Sequence, residues 1–291
     1  MHSTRLAWAL LAAIAVGVVA FGWVAYRAVS DPLGGAFAIA LGDSNPAWAP
    51  DGTRIAFQRD VEGEANQIYV VDADGGDAKK LTTENLDNQD PAWSPDGKRI
   101  VFVGADELHL VRSDGSDAMR LGSVFGVCCP AWSPDGKHIA FQLSRARGGD
   151  LYVMRVDGSG LRRLTRSAGF EASPAWSPDG KTIAYDGPSG GIYLIRSDGT
   201  GARRLTSIGR EPAWAPDGNS LVASSTQGLS GGGLSVIDVR GKLLASLVPD
   251  VIASNPAWSP DGREIVFDGG GSGVLYIVNA DGSSLHQLTG D

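Results

Sequence analysis

Apolar residues along most of this chain come in clusters of three, and the clusters recur. Ile55-Ala-Phe57, Ile139-Ala-Phe141, Ile183-Ala-Tyr185 and Ile265-Val-Phe267 form one series, with Leu221-Val-Ala223 as a weaker member. Ile68-Tyr-Val70, Leu151-Tyr-Val153, Ile192-Tyr-Leu194 and Leu275-Tyr-Ile277 form a second. Stretches rich in Gly, Asp and Pro separate them, and no segment after residue 31 shows an apolar stripe at helical spacing. Short β-branched and aromatic runs bounded by turn residues predict strands, so this part of the chain reads as all-β. The first thirty residues differ: from Leu6 to Tyr26 there are 21 residues without a charge.

One heptapeptide phases the strand clusters. Pro-Ala-Trp-Ser-Pro-Asp-Gly occurs at Pro91 to Gly97, Pro130 to Gly136, Pro174 to Gly180 and Pro256 to Gly262. Pro46 to Gly52 and Pro212 to Gly218 carry Ala in place of Ser. Successive copies lie 45, 39, 44, 38 and 44 residues apart. In the second copy the Ser-Pro-Asp-Gly turn leads into Lys98–Val103, then Glu107–Val111, a second turn at Ser113–Gly115, and a fourth short strand at Ala118–Leu121. Four strands in a repeat of about 40–45 residues is the signature of a propeller blade. One such sheet is apolar on both faces, and stacking six around an axis buries each face against a neighbour. The expected fold is an all-β, six-bladed β-propeller of four-stranded blades. Trp48, Trp93, Trp132, Trp176, Trp214 and Trp258 are the expected inter-blade packing anchors. Asp51, Asp96, Asp135, Asp179, Asp217 and Asp261 are the expected turn-fixing residues. Phe37–Leu41 is also strand-like, and the N-terminal segment is expected to help latch the ring.

As a helix the uncharged head would rise roughly 31 Å, the thickness of a bilayer's hydrocarbon core. Trp8, Trp23 and Tyr26 fall near its ends, where interfacial aromatics belong. Arg5 and the amino terminus precede it, which favours a cytoplasmic start and an exported remainder, while Arg27 pulls the other way. The competing reading is a cleavable signal peptide, whose apolar region is usually about 7–15 residues long. Small-x-small sites for cleavage lie at Ala28-Val-Ser30 and Ala36-Phe-Ala38. The expected organisation is a cytoplasmic N-terminus (1–5), a transmembrane or signal-anchor helix (6–28), a tether (29–42) and a propeller (43–291).

Charge narrows the partners. The net charge is −8, with no acid in the first thirty residues. That disfavours nucleic acid, whose phosphates need a basic face. The two cysteines, Cys128 and Cys129, are adjacent, so no long-loop disulfide supports the fold. Two reduced thiols in a loop and a strained vicinal bridge are the two readings.

The repeat P-A-W-S-P-D-G-[KR]-x-I-A-[FY], followed by L-Y-[VL] and D-G-x-x-x-[RK]-[RK]-L-T, resembles the Pro-Asp type of WD-like propeller repeat of the TolB-like family, over roughly residues 43–291. The resemblance implies an envelope protein or peptide segment as partner. TolB itself carries an α/β domain ahead of its propeller, where this chain has the anchor-like helix and tether. The similar propellers of prolyl-oligopeptidase-like peptidases are joined to a hydrolase domain, which is not expected here. Blade five departs from the pattern: Ile237-Asp-Val-Arg-Gly241 stands for the Asp-Gly turn, and Ser246-Leu-Val248 for Leu-Thr.

Candidate chemistry is sparse. His138 aligns with Arg99 and Thr182, His286 with Lys79 and Arg203, and both positions should face solvent. His109 takes the place of Tyr69, Tyr152, Tyr193 and Tyr276 in a packing column, and His2 precedes the apolar head. No His-x-x-x-His or Cys-x-x-Cys spacing supports a zinc site. Gly187-Pro-Ser189-Gly-Gly191 matches the bare G-x-S-x-G pattern, but it falls in a hairpin and not at a strand-to-helix turn. Asp72-Ala-Asp74-Gly-Gly-Asp77 lacks the further ligands of a calcium loop and reads as a turn.

What varies inside the constant frame is more informative. Immediately before each Pro-Ala-Trp stand Asn45, Asp90, Cys129, Ser173, Glu211 and Asn255. If Pro-Ala-Trp opens the innermost strand, these six ring one mouth of the central channel and form a binding ring. The plainer reading is six residues that start a strand beside proline. The sequence thus points to a non-catalytic protein- or peptide-binding scaffold at the outer face of a bacterial cytoplasmic membrane, with no catalytic constellation, cofactor or metal. The alternative is a lyase- or lactonase-like propeller enzyme with a channel metal held by residues such as Asn45, Asp90, Glu211 and Asn255.

Overall fold

A computed structural model of the protein describes residues 42–290 except 62, 84–85, 146–147, 226–231 and 270–272. The apolar head, the tether up to residue 41 and the strand-like Phe37–Leu41 lie outside the described residues. Among the described residues twenty-four strands, β1–β24 in chain order, form six four-stranded antiparallel sheets. Each sheet uses four strands consecutive in the chain. The first is β1 (Asp43–Trp48), β2 (Arg54–Arg59), β3 (Gln67–Asp72) and β4 (Lys79–Lys80). The counterparts of β1 are β5 (Asn88–Trp93), β9 (Val127–Trp132), β13 (Ala172–Trp176), β17 (Arg210–Trp214) and β21 (Ala253–Trp258). These six first strands contact one another in a closed circuit, β21 returning to β1, so they line the axis of a six-bladed propeller.

The apolar clusters lie between blades, because each sheet buries both faces. Trp93 packs with Ala56, Ile68 and Val70 of the blade before it, and Trp214 with Ala184 and Leu194. Trp132 and Trp214 also donate their indole N–H to the carbonyls of Ala92 and Ala175, each at 3.1 Å. The seam between the last blade and the first is filled in the same way: Trp48, Ile55, Phe57 and Val71 meet Val266, Leu275, Ile277 and Leu288. Blade six supplies its own fourth strand, β24 (His286–Gln287), and Asp43 N–H donates to Gly273 C=O at 2.8 Å across the seam. His109 stacks on Phe102 at 5.4 Å, as Tyr69 does on Phe57 at 6.0 Å.

The Pro-Asp-Gly turns are held by short-range hydrogen bonds. In blade two, Asp96 Oδ1 accepts from Ser94 Oγ at 2.7 Å and from Lys98 N–H at 3.1 Å. Ser94 Oγ in turn accepts Arg99 N–H at 2.9 Å. Gly97 closes the turn at a φ of 68°, a left-handed value that glycine adopts without strain. Where Ala49 replaces the serine, Thr53 Oγ1 bonds Asp51 at 2.8 Å; where Ala215 does, Asn219 Nδ2 bonds Asp217 at 3.1 Å.

Blade five is less irregular than its sequence. Asp238 Oδ1 accepts from Arg240 N–H at 2.9 Å and Lys242 N–H at 2.8 Å, while Gly241 N–H returns to Asp238 C=O. The aspartate has moved two places ahead of its usual position and does the same work. Its outer strand, β20 (Leu243–Leu247), has five residues, against two in β4 and β24.

The sequence expectation needs one correction. The inner strand does not open at Pro-Ala-Trp but two or three residues earlier, at Asp43, Asn88, Val127, Ala172, Arg210 and Ala253. Proline interrupts the pairing locally, because it has no N–H to give, and a bulge carries the strand past it.

Candidate functional site at the central channel

The residue before each Pro-Ala-Trp sits in that bulge. The β1–β2 register shifts between Ser44 and Ala47, β5–β6 between Gln89 and Ala92, and the other four blades shift at the same place. At the bulge Asn45, Asp90, Cys129, Ser173, Glu211 and Asn255 take φ values of 52°, 51°, 57°, 50°, 53° and 49°. A non-glycine residue in this left-handed region is strained by about 1–2 kcal/mol. A residue before proline also normally favours extended backbone. Sixfold repetition of an unfavourable local choice means that the ring imposes it, and strain of this kind gathers at functional positions.

The strained backbone aims each bulge N–H at the blade before it. Asp90 N–H donates to Gln58 Oε1 at 3.2 Å, and Cys129 N–H to Asp90 Oδ2 at 3.0 Å. The Ser173 amide bonds Cys129. Glu211 N–H reaches Asp186 Oδ1 at 2.8 Å, and Asn255 N–H reaches Glu211 Oε2 at 2.8 Å. Asn45 N–H closes the circle on Asp268 Oδ2 at 3.2 Å. The six residues therefore belong to one circuit of hydrogen bonds, a short way down the inner strands. All six are half-exposed, whereas the prolines after them are buried.

Half of this circuit comes from a second column that sequence reasoning missed. Gln58, Val103, Gln142, Asp186, Ser224 and Asp268 stand on β2, β6 (Arg99–Gly104), β10 (His138–Arg145), β14 (Thr182–Asp186), β18 (Ser220–Ser224) and β22 (Glu264–Gly269). They pair beside the bulges: Ser44 with Gln58, Cys128 with Gln142, Ala172 with Asp186 and Ser254 with Asp268. In four blades the bulge side chain bonds this column within its own blade: Asn45 Nδ2 to Gln58 at 2.9 Å, Asn255 Nδ2 to Asp268 at 2.8 Å, Ser173 to Asp186, and Ser224 Oγ to Glu211. In blade three the bond comes from Cys128 Sγ, 3.1 Å from Gln142 Oε1. Blade two is the exception. Val103 offers nothing polar, and Asp90 is held by Asn45 Nδ2 of blade one and Cys129 N–H of blade three. The signal was available in sequence as a polar residue directly after the strand aromatic, where burial argues for an apolar one.

The channel is acidic, and three of its aspartates are perturbed upward. Burial pushes Asp186 up to about 7, and the Glu211 charge adds to the effect. Burial likewise raises Asp268 to about 6, against hydrogen bonds from Asn255 and Asn45. Asp90 is raised by burial, less the stabilisation from the Cys129 amide and Asn45. The Cys129 thiol is raised by its hydrogen bond with Cys128, by burial and by the nearby Asp90 charge. Among the described residues, Asp90, Cys128 and Cys129 are brought together with all three ligand atoms within 4.8 Å of one another.

The other candidates stay apart from the channel chemistry. His138 is half-buried beside Asp135 at 4.0 Å, and His286 is exposed with Nδ1 3.0 Å from Ser284 C=O. Gly187 to Gly191 is the hairpin turn between β14 and the next strand, closed by Gly190 N–H to Gly187 C=O. Asp72 to Gly75 is also a turn.

Six consecutive four-stranded blades around a polar channel define a β-propeller of the binding or enzymatic kind. The chain belongs to the TolB beta propeller domain family, whose pattern it matches over residues 38–125 and 118–291. It is similar to the crystal structure of TolB from Acinetobacter baumannii, with a TM-score of 0.71 and 25% identity over 82% of this chain. The likeness spans 64% of that protein's length. A gluconolactonase from Xanthomonas campestris shares the fold, with a TM-score of 0.65 and 21% identity over 85% of this chain and 86% of that one. An uncharacterized peptidase of Bacillus subtilis (strain 168), YuxL, is 49% identical over 39 residues, which are 13% of this chain and 6% of that protein.

Proposed function

We propose that the protein is a non-catalytic platform that binds a protein or peptide segment at its central channel, held at the outer face of a bacterial cytoplasmic membrane by its apolar N-terminal segment. The observation that carries this reading is the sixfold bulge, which holds five kinds of side chain at six positions on one repeated backbone. Such a ring varies its chemistry without altering its geometry, as a recognition surface requires. Its surplus of carboxylates suits a segment that presents ammonium, guanidinium or amide donors. The TolB likeness makes an envelope protein the expected partner.

The test is crosslinking in intact cells, with wild type beside a Glu211→Ala, Asn255→Ala double variant. Both substitutions lie in the ring and leave Asp90 and the cysteines alone. One envelope protein captured by wild type and lost with the variant supports the channel. Equal capture by both moves the binding surface to the blade edges. Resistance of the full chain to alkaline extraction from membranes tests the anchor separately, and a freely soluble propeller overturns that part alone.

A second reading rests on Asp186. A carboxyl held at about 7 is poised for general acid–base catalysis near neutrality. Turnover of a sugar lactone or uronide by wild type, abolished by Asp186→Asn, would replace the platform with an enzyme.

A further inference from the structure

Adjacent residues on a regular strand point to opposite faces of the sheet. Cys128 and Cys129 do not behave in that way. The bulge between blades' first and second strands falls on them, and the left-handed backbone of Cys129, at a φ of 57°, turns its side chain to the same side as that of Cys128. Both sulfurs then lie with an Asp90 carboxylate oxygen inside a 4.8 Å cluster, and both cysteines are half-exposed and free.

We propose that Asp90, Cys128 and Cys129 form a zinc site in the channel wall, spanning blades two and three. Zinc takes four ligands in a tetrahedron, with sulfur at about 2.3 Å and carboxylate oxygen at about 2.0–2.2 Å. Those lengths put neighbouring ligand atoms about 3.5–3.8 Å apart, which the present cluster reaches by a small contraction. Gln142 Oε1, 3.1 Å from Cys128 Sγ, or a water from the channel fills the fourth position. On binding, the two thiols release their protons to solvent and the metal takes both sulfur lone pairs.

Four features support this assignment. The donor set selects the metal: two thiolates favour a soft or borderline ion over calcium or magnesium, and the carboxylate favours zinc over monovalent copper. The surroundings are already those of a ligand shell. Asn45 and the Cys129 amide orient the Asp90 carboxylate, and the Ser173 amide bonds Cys129. Such outer contacts hold first ligands in place. A disulfide fits less well, since adjacent Cα atoms lie about 3.8 Å apart and disulfides usually need at least about 4.4 Å. The second column completes the picture: Val103 stands in blade two where the other blades carry a polar residue, and Asp90 is bonded from the two neighbouring blades, by Asn45 Nδ2 and by the Cys129 N–H.

The site does not follow any zinc spacing, because two ligands are sequence neighbours and the third comes from the previous repeat. It takes Asp90 and Cys129 from the proposed binding ring, but the two readings can fail separately, because the crosslinking variant leaves these residues unchanged.

The test uses full-length protein in detergent, reduced and stripped of metal, titrated with zinc against a chromophoric chelator and with cobalt by absorption. One equivalent of zinc should bind, and cobalt should give a thiolate-to-metal charge-transfer band. Cys128→Ser and Cys129→Ser should each weaken zinc by at least about 100-fold, and Asp90→Asn by about 10-fold or more. Zinc should also protect both thiols of the wild type from alkylation, a readout that needs no variant to fold. No stoichiometric zinc, a cobalt complex without the charge-transfer band, or zinc that survives both serine substitutions would each overturn the site. So would a Cys128–Cys129 disulfide that persists in the reduced preparation.

Discussion

Each inner strand joins two regions built on the same device and tuned in opposite directions. At one end, the Pro-Asp-Gly turn places a carboxylate on backbone N–H groups two residues away, as Asp96 does on Lys98. At the other, the bulge places carboxylates on N–H groups 39 residues away for Asp90 and Cys129, and 223 away for Asp268 and Asn45. The turn acids are exposed, and their hydrogen bonds hold Asp96, Asp135, Asp179 and Asp261 below the usual carboxylate range. The channel acids are crowded by protein and by one another, and Asp90, Asp186 and Asp268 rise. One network shapes a blade; the other ties blades together and raises Asp90, Asp186 and Asp268.

The contrast predicts that the channel bonds cost more to lose. Asp268→Ala removes the acceptor of both Asn45 N–H and Asn255 Nδ2 at the seam and should destabilise by about 2–3 kcal/mol. Asp261→Ala, in the turn of the same blade, should cost about 1 kcal/mol, like the loss of a helix cap. Urea unfolding of the two variants compares them, and an equal or reversed order would sink the distinction.

Their pH responses should have opposite sign. Asp186 and Asp268 have folded values above the unfolded one, so the native state holds more protons between about 4 and 7. Their contribution is unpenalised below pH 4 and becomes unfavourable as pH rises through 6 and 7. Thermal stability should therefore be greater at pH 5 than at pH 8, by on the order of 1–3 kcal/mol. Asp186→Asn keeps an oxygen for Glu211 N–H and should flatten that slope. The turn acids act the other way: their stabilisation is present above about pH 4 and is lost in stronger acid, with a small amplitude because they are exposed. A wild type that grows more stable from pH 5 to pH 8 would contradict the channel assignment.

The smallest effect lies inside the turns. Ser94→Ala should cost about 0.5–1 kcal/mol by removing one donor to Asp96 and one acceptor for Arg99 N–H. Adding Lys98→Thr should recover part of that loss, since blade one uses Thr53 in the corresponding place beside Ala49. No recovery in the double variant would show that the two solutions are not interchangeable.

The turns and the blade count were legible in the sequence because every copy repeats the same residues for the same local reason. Glycine at a left-handed position and aspartate two residues before an amide are short-range facts. The bulge was hidden for the opposite reason. Nothing local predicts a left-handed Glu211 before Pro212, and local preference argues against it. The position of Asn45, Asp90, Cys129, Ser173, Glu211 and Asn255 as a variable set could be read from the repeat. Their partners Gln58, Gln142, Asp186, Ser224 and Asp268 could not be assigned, because the relation exists only once the bulge sets the register of the first two strands and the blades close on one another. Each blade, the sixth included, takes its four strands from one consecutive stretch of chain, while the expected N-terminal latch at Phe37–Leu41 lies outside the described residues.

That contiguity has a mechanical consequence. Five of the six junctions between blades are crossed by the chain itself, so pulling them apart also stretches covalent backbone. Among the described residues the sixth, between β21–β24 and β1–β4, is held by the Asp43–Gly273 contact, the Asn45–Asp268 bond and apolar packing. A load applied at the two ends of the ring should open it there first, like a clasp. The same build makes each blade a cassette: a duplicated or deleted stretch of one repeat length adds or removes a whole sheet without orphaning a strand.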